Sequence, residues 1–221
     1  MITLTNGLSD LSKELGETVS NVTTRRIGHY NDAVIEFSNE KKWEFLIKED
    51  TSLSTVVGTQ GYAIPATVLA DWRAPGGIKE ITLGDSTIPI IPIDWELRGD
   101  PRYDDKHCFY LNPEQTMIYF KEPISVVSVV HIHYYYVPAR VESTESAVTF
   151  PIPDRYRKTV AMLAAAYVQW SRYLEQQGNR LYNLYAKSIG KISNQQSERN
   201  KNNPRRFQHY LQHIGFRRQY P

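Results

Sequence analysis

Cysteine is nearly missing from this sequence: Cys108 is the one thiol in 221 residues. A single thiol cannot close an intramolecular disulfide, so no disulfide framework staples the fold, and a metal site built from several cysteines is excluded with it. The usage fits synthesis in a reducing cytosol. Long apolar runs are missing too, since no stretch approaches the roughly 18 residues that cross a bilayer. The opening Met1-Ile2-Thr3-Leu4 lacks the basic start and apolar core of a signal peptide. The expectation is a protein made in the cytosol with no membrane attachment. Catalytic signatures are absent as well: there is no Walker-type glycine-rich loop, no Gly-x-Ser-x-Gly and no His-Glu-x-x-His. These absences point to a protein that is not an enzyme and requires neither cofactor nor metal.

What is present is an uneven charge. The net charge is +2, yet residues 199–221 hold six basic side chains (Arg199, Lys201, Arg205, Arg206, Arg217, Arg218) and no acidic one, which leaves the first 198 residues at −4. A mildly acidic body with a basic end marks an interaction segment. The length suffices for one domain, or one carrying an insertion, that buries roughly 70% of its unfolded surface.

Hydrophobic spacing divides the chain into three stretches. Leu4, Leu8, Leu11 and Leu15 follow a helical period that Gly16 breaks. Thr23 or Thr24 can cap a second helix with Ile27, Tyr30, Val34 and Phe37 on one face. Alternation at Trp43, Phe45 and Ile47 then predicts a strand, and residues 50–150 hold short β-rich runs between turn signals. Ile78–Leu83 and Thr87–Ile93 flank Gly84-Asp85-Ser86 as one hairpin, whose second strand belongs at an edge because Pro89 and Pro92 cannot donate. Cys108–Leu111 and Thr116–Phe120 flank Asn112–Gln115 as another. Val126–Val137 reads as the longest strand, apolar on both faces and therefore central. After Pro153-Asp154 a helix returns with Val160, Leu163, Ala164, Tyr167 and Val168 on one side. Gln176–Asn179 reads as a turn before a last helix with Leu181, Leu184, Tyr185 and Ile192. The fold class is α+β: a helical bundle from residues 1–48 and 148–198, an inserted antiparallel β-rich module at 49–147, and a C-terminal extension at 199–221.

Candidate chemistry is sparse. His131 and His133 share one strand face but lack a third ligand nearby, so a half-buried strand pair is the preferred reading. His209 and His213 lie one helical turn apart in the basic end and read as a surface pair. Asp94 with Glu96, and Asp104-Asp105, sit in turn-like surroundings and read as solvated loop charges. Cys108 reads as a small apolar residue. Tyr134, Tyr135 and Tyr136 offer rings for bases or sugars, but alternate ones must face a core, which favours structural use.

The order of these pieces resembles the head-to-tail adaptor (connector) family of tailed bacteriophages, including its tail tubular protein A type. Asn31-Asp32-Ala33 followed by Trp43-Glu44-Phe45 resembles the family's second helix and aromatic exit. Gly61-Tyr62-Ala63-Ile64-Pro65 resembles its Tyr-x-Leu-Pro turn, and Phe109-Tyr110-Leu111 with Ile118-Tyr119-Phe120 its recurring hairpin. Tyr134-Tyr135-Tyr136-Val137-Pro138 resembles its aromatic strand. Phe150–Tyr156 followed by Ala164-Ala165-Ala166-Tyr167 resembles the entry to its alanine-rich helix. The resemblance runs from residue 3 to about 195 and implies a structural virion protein of the neck, made in the host bacterial cytoplasm. It implies a ring of twelve copies beneath the portal, joining capsid to tail or nozzle and stopper proteins. DNA would pass through the lumen without sequence-specific binding. The basic end departs from the family. Arg205, Arg206, Phe207, Tyr210, Leu211, Ile214, Phe216, Arg217, Arg218 and Tyr220 interleave cations with large apolar groups, the pattern of a docking peptide that orders on a partner, here the portal protein. The alternative is a nucleic-acid-binding module, since phosphates attract such clusters.

Overall fold

The leucine spacing at the start of the chain becomes α1 (Leu4–Glu14), with Leu4, Leu8 and Leu11 buried. In the computed structural model, residues 1–17, 23–72, 77–103, 107–141 and 148–201 are described, with side chains as far as residue 192. Gly16 ends α1 at φ +72°: its N–H donates to Lys13 O (3.0 Å) and that of Glu17 to Ser12 O (2.9 Å), the paired bonds of a Schellman motif. α2 (Thr24–Asn39) starts where Thr23 Oγ1 accepts the Arg26 N–H at 3.3 Å, and Ile27, Tyr30, Val34 and Phe37 are all buried.

The chain divides into two units, one of residues 1–4 and 34–154, the other of residues 5–33 and those from Arg155 onward. The first is β-rich. Its three-stranded antiparallel sheet runs β2 (Ile47–Ser54), β8 (Val129–Tyr135), β4 (Ile78–Leu83), so β8 is central as its two-sided apolar pattern requires. A four-stranded sheet runs β3 (Gly61–Ala63), β7 (Met117–Phe120), β6 (Cys108–Leu111), β5 (Ile91–Ile93). β1 (Ile2–Thr3) pairs with β9 (Thr149–Phe150). Tyr62, Phe109, Ile118 and Phe120 from the four-stranded sheet meet Ile78, Ile81, Val130, Ile132 and Tyr134 from the three-stranded one in a single core. Ile64, Val68 of α3 (Ala66–Asp71) and Ile90 complete it. Each such side chain contributes about 1.5–3 kcal/mol on burial.

The second unit packs α4 (Arg157–Ser171) on α5 (Glu175–Lys201). Ala164, Ala165 and Ala166 are fully buried, and Gly178 lies directly against the Trp170 ring. Asp10 of α1 accepts from Arg157 Nε of α4 at 2.5 Å. Glu17 takes Arg26 at 2.6 Å and Arg172 at 3.3 Å, while Arg25 donates to Ser171 O at 3.2 Å.

Several sequence expectations are corrected here. The strand from Trp43 is a 3-10 turn over Glu44–Leu46, with the strand starting at Ile47. Trp43 stacks on Phe37 (4.7 Å) and donates to Phe37 O (2.8 Å), which ties it to the end of α2 and bends the chain there. The hairpin at Gly84–Ser86 is reduced to one bridge, Ile81 with Ile90. β5 instead pairs parallel to β6, so the β-rich part is not wholly antiparallel; β5 does lie at an edge. β8 is not the longest strand: it has seven residues against eight in β2. The Thr55 hydroxyl bonds to Val126 O and receives the Ser128 N–H, taking the place of a ladder partner before Val129. The turn expected at Gln176–Asn179 falls at Arg172–Leu174, and Gly178 sits inside α5 because Trp170 leaves no room for a Cβ.

Candidate interaction surfaces

The ten residues expected to dock on a partner, Arg205 to Tyr220, lie outside the described residues, as do His209, His213 and Asp104-Asp105. What leads up to them is described. α5 continues through Arg199 to Lys201, three residues past the boundary drawn at 198, and Arg180, Lys187 and Lys191 on it are exposed with no acidic residue among them. The basic bias therefore begins within the helix.

On the outer face of the three-stranded sheet, Glu49 and Glu80 stand across from His133 on either side. Glu49 Oε1 lies 2.5 Å from His131 Nδ1, and that hydrogen bond holds the Glu49 carboxyl below its ordinary pKa. Among the described residues, no group of three or more His, Cys, Asp or Glu side chains is placed to hold a metal ion. Asp94 precedes the 3-10 turn Trp95–Leu97 without making a side-chain cap, and Glu96 is exposed. Cys108 is buried in β6.

The tyrosine triplet is structural. Tyr134 is in the core, its hydroxyl donating to Asp71 Oδ1 at 3.1 Å, and burial first and then this carboxylate push its phenol pKa up. Tyr135 is buried too, and Lys48, ion-paired with Asp71, lies 4.3 Å from the Tyr136 ring.

A different aromatic group occupies the outer face of the four-stranded sheet. Tyr110 of β6 stacks on Tyr119 of β7 (5.6 Å, 9°), Trp95 meets both edge-on (5.4 and 6.1 Å), and the Arg98 guanidinium covers Trp95 at 4.3 Å. Gly61 of β3 lies so close to Tyr119 that a Cβ would come within 2.7 Å of its ring. Sequence reasoning overlooked this group. The signal was the shared alternation of Phe109-Tyr110-Leu111 and Ile118-Tyr119-Phe120, which sends both tyrosines to one face.

No curated protein matches the chain. A model of the SU10 adaptor protein family matches residues 6–208, from inside α1, through both units, to just past Arg205, Arg206 and Phe207. By that match the chain belongs to the SU10 adaptor proteins, a family of phage head-to-tail adaptors with a structural role.

Proposed function

We propose that the protein is a head-to-tail adaptor in the virion neck, forming a ring beneath the portal that connects capsid to tail and continues the DNA channel. The observation that carries this is the family match across residues 6–208, which spans both units rather than one motif. In this reading twelve copies surround the channel, the portal protein lies above, and a tail, nozzle or stopper protein lies below. The protein performs no catalysis. The terminal helices act as one bundle; the ion pairs of Asp10 with Arg157 and Glu17 with Arg172, which link α1 and its exit to α4, support it. Residues 199–221 anchor the ring to the portal through Arg205, Arg206, Phe207, Tyr210, Leu211, Ile214, Phe216, Arg217, Arg218 and Tyr220. Coupled ordering of such a segment costs several kcal/mol, which repetition around a ring offsets by avidity. DNA slides through without sequence-specific contact.

Antibody labelling of purified virions, viewed by electron microscopy, tests the location: label anywhere but the head-tail junction rejects it. Truncation after Lys201, the last described residue of α5, tests the anchor. The expected result is a folded subunit that no longer attaches to portal, with DNA-filled heads that leak. Infectious particles from the truncated chain would show that the tail is not the anchor. The basic segment also keeps a nucleic-acid reading in play, and strong gel-shift binding with a steep salt slope would favour it.

A further inference from the structure

We propose that the β-rich unit binds a second copy of this chain head to tail, a valine tip on one copy seating in a cleft beside Trp95 on the next. The inference rests on the adaptor reading and names a contact within the ring.

The tip is built by three segments. The Thr55 N–H donates to Ser128 O (2.8 Å), the Gly58 N–H to Ile124 O (3.0 Å) and the Gly84 N–H to Val129 O (2.8 Å). These bonds hold Val56-Val57 beside Val126–Val129, with the 84–86 turn alongside. Val56, Val57, Ile88, Val126, Val127 and Val129 are 42–73% exposed. They make up six of the twelve exposed large hydrophobics among the described residues, so half of those side chains are gathered at one end of one unit. Segments 55–58, 84–89 and 124–129 contain one charged residue, Asp85, and no Lys, Arg or aromatic residue. Nucleic acid needs cations, and a membrane interface favours Trp, Tyr and cations. An aliphatic tip without either fits a cleft in protein that offers apolar side chains.

The same unit carries such a cleft at its opposite end. β8 runs from Val129, paired with Ser54 near the tip, to Tyr135, paired with Ile47, and β4 runs from Leu83 back to Ile78. Ile78 lines the cleft, together with Pro92, Ile93, Trp95, Leu111 and Pro113; Lys42, Asp94, Asn112 and Gln115 line it too, and its volume is about 440 Å³. That volume lies in the range of clefts that accept a few side chains or a small ligand. Tyr110, Tyr119 and Arg98 fix Trp95 in place, so its wall is preformed. A tip and a cleft at opposite ends of one unit cannot satisfy each other within one copy. Joined between copies they make a heterologous contact, the kind that repeats and closes into a ring when the rotation allows.

The test uses particles of the phage that encodes the chain, grown with the chain supplied from a plasmid. Chains carrying Val127→Cys, Asp94→Cys and Cys108→Ser, treated with a short bismaleimide, should give a ladder of linked oligomers, while each single cysteine should leave monomer. A double-cysteine chain that enters particles and stays monomeric overturns the proposal, as does self-linking of Val127→Cys alone, which would put tip against tip. In parallel, Val57→Asp with Val127→Asp should leave melting unchanged, because both sites are more than half exposed, yet lower incorporation at least tenfold. Equal incorporation of that variant removes this contact and leaves the adaptor reading standing; wild-type chain absent from particles removes both.

Discussion

A Cβ built on Gly7 would overlap the buried Tyr30 ring, whereas one on Gly28 meets no atom within 4 Å. Both glycines are inside helices, so the same substitution has opposite signs at the two places. Gly28→Ala should raise stability by about 1 kcal/mol through helix propensity alone. Gly7→Ala should lower it by about 1–3 kcal/mol through overpacking. Urea titrations of the two variants check the pair, and equal effects would refute the packing argument. Charge gives the second residue-scale prediction. Burial opposes the Asp10 carboxylate, but hydrogen bonds from Arg157 and Lys13 outweigh it and hold its pKa below the ordinary range. A folded pKa below the unfolded one contributes stability above about pH 4 that is lost as pH falls through the folded value. Arg157→Gln should therefore cost about 1 kcal/mol at pH 7 and progressively less in acid. A deficit that stays constant down to about pH 3 would mean that the ion pair is not its source.

Two helices end in the same way with different residues, and this sets the prediction at the scale of the element. α1 closes on Gly16 at φ +72°. α4 closes on Tyr173 at φ +63°, with the Tyr173 N–H donating to Trp170 O (3.0 Å) and that of Leu174 to Gln169 O (3.0 Å). The left-handed conformation costs a residue with a Cβ about 1–2 kcal/mol. Tyr173 is 93% exposed, so no packing offsets that cost. Tyr173→Gly should raise the thermal midpoint by a few degrees, a gain of about 1 kcal/mol, and Gly16→Ala should lower stability by a similar amount. Loss of stability in Tyr173→Gly would show that the ring holds the turn. The same comparison explains what was readable: Gly16 announces its turn, while a tyrosine doing the same job is silent, and Gly178 draws attention to the wrong place.

At the scale of the whole molecule, the proposed anchoring role of the basic C-terminal segment predicts two separable contributions to portal docking. Arg205→Glu with Arg206→Glu should weaken binding to purified portal protein strongly at low salt and less at high salt, because screening removes the attraction they reverse. Phe216→Ala should weaken it about tenfold with little salt dependence, as expected when an aromatic anchor is lost. Identical salt slopes for the two variants in a surface-binding measurement would contradict this division of labour. The tip variants proposed above act on a different contact, so their defect should persist with the C-terminal segment intact.

The sequence by itself determined the elements whose causes are local. Helical leucine spacing and Gly16 bound α1, the Thr23 cap starts α2, Asn112–Gln115 joins β6 to β7, and apolar residues on both faces make β8 central. The ordered aromatic and proline motifs also carried the adaptor resemblance, which the match over residues 6–208 bears out. The tertiary structure decided what depends on distant partners. Trp43 turns the chain because Phe37 holds it, Thr55 bonds the residue just before a strand that begins 74 residues later, and β5 leaves its neighbour in sequence for a parallel place beside β6. Nor does alternation alone reveal that two valine pairs 70 residues apart form one exposed tip. Periodicity records which side of an element is apolar; which apolar surface covers another, and which remains bare for a partner, is settled only when the sheets pack.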